Sequence, residues 1–369
     1  MTTLQEAPER VSQRIRIKPQ KTRTYKPKVS VVIACYNYAR YLPDAVQSCI
    51  SQLDVDVEII IVDDASTDNS RAVAELLRER HPNVSCIHRP DNGGPVEAFN
   101  DGARVATGEF LVRLDADDML TPGSLGRATL VAQAFPSVGL VYGHPLHFSK
   151  LQLPSPRVRP TAWTVWPGRE WLTDRCRSGK NVITSPEVLM RRSLLERYGY
   201  LSPLAHSHDM ELWLRLSAFS DVAYIHGADQ AWHREHAKSL SATHVDDVVD
   251  FRERVAAFRV LFEGPAGAHP DSTNLYALAR RSLAKEALWK TRHELARGIQ
   301  FSSLRTTWLD LSAAMDPAII SSPEWNRLHL QPAEWFLPPL LRPRAVALRL
   351  RGRIKSDLAW HRWHRTGVF

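Results

Sequence analysis

Three short runs, VSVVIA at 29–34, EIIIVDD at 58–64 and EFLVRL at 109–114, constrain this chain more than any other feature. Each is dominated by β-branched and aliphatic residues and bounded by polar ones, the pattern of a strand covered on both faces. Between them lie amphipathic stretches at 42–53 and 70–80, the second preceded by Asp68 and Asn69 as helix N-cap candidates. A further strand, VSCIH at 84–88, leads into Asn92-Gly93-Gly94 and a helix running through Arg104. Strand and helix alternate roughly every 25 residues, which predicts βαβ units and a mainly parallel sheet flanked by helices. In such an α/β fold, ligands bind at the carboxyl ends of the strands.

Composition narrows the class. With 369 residues, 44% of them hydrophobic and 24% charged, the chain can bury a large core and is neither disordered nor fibrous. Its longest uncharged stretch, 128–149, is broken by Gln133, Pro136, Ser137, His144 and His147, too polar for a bilayer-spanning helix. The start of the chain has no apolar signal core. Four cysteines without a CxxC pair suggest neither a disulfide framework nor a thiolate zinc site, and a reducing, cytoplasmic setting fits.

The net charge of +8 invites a nucleic-acid reading, but its distribution argues against one. Residues 1–28 carry +6 and residues 342–369 carry +7, leaving the remainder at −5. An acidic body between basic ends has no electrostatic groove for a phosphate backbone, so no nucleic-acid partner is expected.

Three regions are expected. Residues 1–28 read as a flexible basic arm and 29–263 as the main domain, divided into 29–143 and 144–263. Residues 264–369 read as a helical extension with a basic amphipathic tail. Prolines and tryptophans between 154 and 171 suggest a loop-rich excursion, with helices at 190–199, 209–219, 245–263, 273–297 and 302–315. The segment EGPAGAHPD at 263–271 reads as a linker.

Two acidic clusters end predicted strands: Asp63-Asp64, and Asp115-Ala116-Asp117-Asp118. Carboxylates gathered on one rim of a parallel sheet repel one another unless a cation is present, and hard oxygen ligands suit Mg²⁺ or Mn²⁺. Aspartates are also common in turns after strands, so turn chemistry is the competing reading for any one of them.

These segments together resemble the nucleotide-sugar half of a family 2 glycosyltransferase with the GT-A fold, continuously from 29 to about 130 and with four motifs in order. The resemblance implies that Ala34, Tyr36 and Asn37 pack on the nucleotide base and that Asp63 accepts a hydrogen bond from it. It places Asn92 and Gly93 near the nucleoside, makes Asp115-Ala116-Asp117 the Asp-x-Asp element, and makes Asp117 the metal ligand. Phe99 departs from the pattern, since many relatives carry a basic residue there, and a diphosphate contact from that position does not carry over.

Farther along, SHDMELWLRL at 207–216 resembles the acceptor-side region, whose usual Glu-Asp reads His208-Asp209 here. The resemblance makes Asp209 the general base, while an aspartate before a helix is also a common N-cap. WHREHAKSLS at 232–241 resembles a segment of form Arg-x-His followed by Ser, giving Arg234, His236 and Ser239. Arg234 and His236 then lie near the leaving diphosphate or its metal. His233 and His236, read as a helical pair, do not form the HExxH arrangement, and no cysteine ligands lie near them as a zinc site would show.

The resemblance implies an inverting transfer of a sugar from a nucleoside-diphosphate donor, UDP favoured, to a carbohydrate or lipid-linked acceptor hydroxyl, in the making of cell-surface polysaccharide, glycolipid or glycoconjugate. Two other readings compete. A nucleotidyltransferase would carry a glycine-rich loop after its first strand, and ACYNYARY has no glycine. A non-catalytic nucleotide-sugar-binding scaffold would be expected to lack one of the carboxylates. In the tail, Val346, Leu350, Ile354 and Leu358 recur every fourth residue among arginines and Lys355. Residues 340–369 thus read either as a helix on the inner face of an anionic membrane or as one docked on the body.

Overall fold

The computed structural model describes residues 9–20, 23–149, 152–236, 246–296, 303–329 and 343–366. The strands are β1 (Ile15–Ile17), β2 (Lys28–Cys35), β3 (Asp56–Asp63), β4 (Val84–His88), β5 (Phe110–Asp115), β6 (Met119–Leu120), β7 (Val138–Phe148), β8 (Ala162–Trp166), β9 (Leu189–Arg191) and β10 (Asp221–Arg234). The α-helices are α1 (Leu42–Ile50), α2 (Ser70–Arg80), α3 (Gly94–Val105), α4 (Ser124–Ala134), α5 (Gly168–Ser178), α6 (Arg192–Tyr198) and α7 (His208–Phe219). They continue with α8 (Asp247–Glu263), α9 (Ser272–Ala296), α10 (Ser303–Met315), α11 (Pro323–His329) and α12 (Pro343–Thr366).

All ten strands join one sheet in the order β1-β8-β10-β7-β9-β5-β2-β3-β4, with β6 paired to β10. The half built from β5, β2, β3 and β4 is parallel, as the apolar runs imply. Short antiparallel β9 then bridges β5 to β7, and β10 pairs parallel to β7 but antiparallel to β8. Alternate residues of β2 face opposite cores. Val29, Val31 and Ile33 pack with α1, α2 and α4, whereas Val32 meets α3 and the helices of the second half. Helix α3 sits so close that a Cβ on Gly102 would fall 2.5 Å from Val32.

Several expectations change. Part of the expected flexible arm is tied down: β1 pairs with β8, and the Val11 N–H donates to Asp221 Oδ2 at 2.8 Å. The 154–171 excursion contains β8 and the start of α5, and Trp163, Trp166 and Trp171 are buried in packing. The 263–271 segment is no open linker. It holds a 3-10 turn at Pro265–Ala268, whose Ala266 is buried in the core shared with α8 and α9. Asn69 holds the N-cap position of α2 without a side-chain bond, and Asp68 Oδ1 accepts from the Ser70 N–H. His233 and His236 are not on a helix, because β10 runs through Arg234. Ser239 lies outside the described residues. No helix among the described residues is long and apolar enough to cross a membrane.

Candidate active site

Parallel register brings the carboxyl ends of β2, β3, β4 and β5 to one rim. Ala34 lies opposite both Val62 and Asp115, and Asp63 lies between Cys35 and His88. Beyond β2 the chain turns through Asn37, whose φ of 59° is one that asparagine tolerates. Its Oδ1 accepts the N–H groups of Thr67 and Asp68, tying this loop to the one after β3. Tyr36 stands exposed beside them.

Asp63 and Asp64 are both 2% exposed but differ in kind. Asp64 is fully employed, accepting from the backbones of Gly93 and Gly94 at 3.0 and 2.8 Å and from Arg89. The turn demands glycine at Gly94, where φ is +82°. Asn92 joins through its Oδ1, which accepts from the same Gly94 N–H. Asp63 Oδ1, by contrast, is buried with no partner among the described residues, while its Oδ2 lies 3.6 Å from His88 Nδ1. A buried carboxylate oxygen without a donor is costly unless a ligand supplies one.

The Asp-x-Asp turn is held from β10. Its two-stranded pairing with β6 lays Trp232 opposite Met119, so the next residues of β10 reach the acidic cluster. Asp118 accepts from the Arg234 N–H at 2.8 Å and meets His233 Nδ1 at 3.1 Å. Arg234 Nε donates to the Asp117 carbonyl at 2.9 Å, and its guanidinium lies over the rings of Tyr41 and Phe148. His236 Nε2 lies 2.8 Å from Asp117 Oδ2, its ring packed by Tyr38 and Tyr41. Burial and then the charges of Asp118 and Asp115 push Asp117 up to about 6. His233 is raised too: burial opposes its charge, but the bond to Asp118 prevails and lifts it to about 9.

The second half of the site is carried by α7. Asp209 does not cap this helix, which begins at His208 with Ser207 in the capping position. It sits in the first turn, where the helix dipole favours an acid, with Oδ1 2.6 Å from the Met210 N–H. Burial nonetheless lifts Asp209 to about 7, helped by Asp115 and Glu187 and opposed by Arg113. His208 is buried and, for lack of water and beside Arg113, held down to about 3, a neutral imidazole at ordinary pH.

Arg113 is the residue that the sequence reading overlooks. It is 5% exposed in the middle of β5, donates to Asp115 Oδ1 and to Ser185 Oγ, both at 2.7 Å, and leaves its Nε without a partner among the described residues. Ser185 is itself strained, with φ at 141°, and its N–H is held by buried Glu187. An arginine inside an apolar strand run was the available signal, since a buried guanidinium needs acidic company.

Thus the expected residues Ala34, Tyr36, Asn37, Asp63, Asn92, Gly93, Asp115, Ala116, Asp117, Arg234 and His236 lie along one rim, with Asp209 facing Arg113 from the other half. For a divalent cation, Asp117 and His236 form the adjacent donor pair. Among the described residues no group of three or more His, Cys, Asp or Glu side chains converges on one metal position. The single carboxylate, Asp117, fits Mg²⁺ or Mn²⁺, which take few protein carboxylates and complete their shell with substrate phosphates and water, while the His236 imidazole is a softer donor.

An α/β sheet with its acidic motif at the carboxyl rim defines a GT-A type of protein. Residues 30–199 match the model described as Glycosyl transferase family 2, so this stretch of the chain is similar to that family. It is 46% identical over 115 residues to an uncharacterised glycosyltransferase of Nostoc sp., covering 31% of this chain and 36% of that one. It is 37% identical over 92 residues to glycosyltransferase GlyG of Streptococcus pneumoniae, covering 25% of this chain and 31% of that one. Against chondroitin synthase of Pasteurella multocida it is 38% identical over 99 residues, 27% of this chain and 10% of that one. The chain therefore spans little more than a third, at most, of the length of these three relatives.

Two solved structures share the fold. One is Staphylococcus aureus TarS 1–349 in complex with UDP-GlcNAc, with a TM-score of 0.56 and 15% identity over 88% of each chain. The other is the mannosyltransferase PcManGT of Pyrobaculum calidifontis in complex with GDP-Man and Mn²⁺, with a TM-score of 0.50 and 21% identity over 89% of this chain and 88% of that one.

Proposed function

We propose that this chain transfers a sugar, with inversion, from a nucleoside-diphosphate donor to an acceptor hydroxyl. The observation that carries the reading is the acidic rim of Asp115, Asp117 and Asp118 held by Arg234 and His236, with buried Asp209 within reach of the charge of Arg113, which itself donates to Asp115. A base with a pKa near the working pH combines availability with proton-accepting strength.

Asp209, deprotonated, takes the proton of the acceptor hydroxyl as that oxygen bonds to the anomeric carbon. The bond to the diphosphate breaks on the opposite face, and its electron pair leaves with the diphosphate. No covalent enzyme intermediate forms. Arg234, fixed over Tyr41 and Phe148, is a preorganised cation for the departing charge. A divalent ion held by Asp117 and His236 supplies further charge neutralisation there when bound. Asp63 receives an N–H from the base, and its one unpartnered oxygen suits the single imide N–H of uracil. Ala34, Tyr36, Asn37, Asn92 and Gly93 frame the nucleoside, and Asp115-Ala116 lie under the sugar and ribose. A role in building cell-surface polysaccharide, glycolipid or glycoconjugate accords with this chemistry.

The domain division proposed with it is a glycosyltransferase unit at 29–263 and a helical extension beyond. The test is a panel of nucleotide-sugars with Mn²⁺ or Mg²⁺, scored by binding and by release of nucleoside diphosphate. A UDP-sugar that binds and is turned over is the expected result, and neither binding nor turnover with any donor would overturn the reading.

A further inference from the structure

Helix α12 carries two faces that ask for different neighbours. Gly352, Ala359 and Trp363, spaced seven and four apart, share the side turned to the body, and all three are partly buried. A Cβ on Gly352 would lie 3.6 Å from Trp289 of α9, an ordinary contact distance that places this side of α12 against α9. Trp363 fixes the far end: its indole N–H donates to the Val182 carbonyl at 2.8 Å, and its ring meets His144 edge-on at 5.1 Å. This anchorage stands close to the active site, because His147, also against Trp363, packs on His233 at 5.0 Å.

Leu350, Ile354 and Leu358 repeat every four residues, roughly 200° around the helix from Gly352. They are 60%, 50% and 64% exposed, and Trp360 is 54% exposed. Among the described residues no other element packs on this strip, and such a run of large apolar side chains is unusual on a solvent-facing surface. Its borders are basic: Arg351, Lys355 and Arg362 flank one side and Arg353 the other, with Asp357 the lone acid. Long basic side chains beside an apolar strip can rest their stems on it while their charges reach outward. That layout complements one occupant, a surface apolar in depth and anionic at its face.

The geometry points to α12 as an in-plane helix that seats the protein on an anionic lipid bilayer, with Leu350, Ile354 and Leu358 in the acyl boundary and the arginines and Lys355 among the headgroups. The Trp363 anchorage then holds the cleft edge marked by His147 and His233 beside the bilayer. This placement stands apart from the sugar-transfer reading, since it needs neither donor nor turnover.

Flotation of the full chain with phosphatidylglycerol–phosphatidylcholine vesicles, against phosphatidylcholine alone, tests it. The wild type is expected to float with the anionic vesicles, weakly with neutral ones, and less as salt rises. Leu350→Ser/Ile354→Ser/Leu358→Ser is expected to lower the affinity at least about tenfold with an unchanged melting temperature, because these side chains support no core. Arg351→Glu/Arg353→Glu/Lys355→Glu is expected to abolish the preference for anionic lipid. Undiminished flotation of the serine variant, or no flotation of the wild type, would overturn the proposal. So would a wild-type dimer that the serine variant splits into monomers without any lipid binding, since the strip would then be a contact between two copies.

Discussion

Nε2 of His236 lies 2.8 Å from Oδ2 of Asp117, joining residues 119 positions apart in sequence. The contact exists because β6 pairs with β10 immediately after the acidic turn. If the pair holds a divalent ion, removing either partner should cost at least about tenfold in donor affinity in the presence of Mn²⁺, by analogy with losses seen on disturbing metal sites. Calorimetric titration of Asp117→Asn and His236→Ala with a UDP-sugar, with and without EDTA, measures this. Wild-type affinity indifferent to EDTA would remove the metal from the scheme.

Asp209 should govern the pH profile. A base must be unprotonated, and a group at about 7 is mostly protonated below that value, so turnover should rise with pH through about 7 and level off above it. Asp209→Asn should lower kcat by roughly 10²–10⁴-fold while leaving donor binding intact, as expected for loss of proton transfer alone. Single-turnover kinetics with saturating donor, across pH, separates the two effects. Near-normal kcat in the variant would reassign the base.

Much of this was legible in the sequence, and the boundary has a physical cause. The strands β2, β3 and β5 announce themselves because their central residues are buried on both faces and mostly aliphatic, while β4, at the sheet edge, is only partly buried. The fourteen-residue β10 does not, because it carries His226, Asp229 and Gln230, polar side chains satisfied by Thr164, Arg157 and Arg127. Those partners lie about sixty to one hundred residues away, and no local window contains them. Strand β1 is only three residues long and borrows its register from β8. In the site, motif residues such as Asp63 and Asp117 could be named in advance. The positioning role of Arg113 could not, since it depends on Ser185 and Asp209 arriving from the other half.

Glu58 gives the fold an acid-sensitive joint between β2 and β3 and the turn before β5. Burial alone would raise its pKa, but Ser30 Oγ, the Thr107 N–H and hydroxyl, and Lys28 donate to it and bring it down to about 2. A depressed carboxyl contributes stability that is fully present above its unfolded pKa near 4.5 and is lost as pH falls towards 2. The wild type should therefore lose about 2 kcal/mol from this group over that window, allowing for its partial exposure. Urea denaturation of Glu58→Gln should show lower stability at pH 6 and a shallower decline in acid, converging on the wild type near pH 2. Parallel curves for the two proteins would show that Glu58 is not the group responsible.

Arg113 separates positioning from mere packing. Its charge pulls the Asp209 pKa down against burial, so replacing it with a neutral side chain should move the acid limb of the kcat profile above the wild-type position near pH 7. Arg113→Met should also cost about 2 kcal/mol, because Asp115 and Ser185 lose their shared donor while Asp115 keeps some access to water. Lysine retains the charge without the planar fork, so Arg113→Lys should restore the limb more than the stability. The profiles of the three proteins at saturating donor, with their melting temperatures, distinguish the roles. If Arg113→Met lowers stability but leaves the limb in place, Arg113 only braces the junction of the two halves, and some other group sets the proton affinity of Asp209.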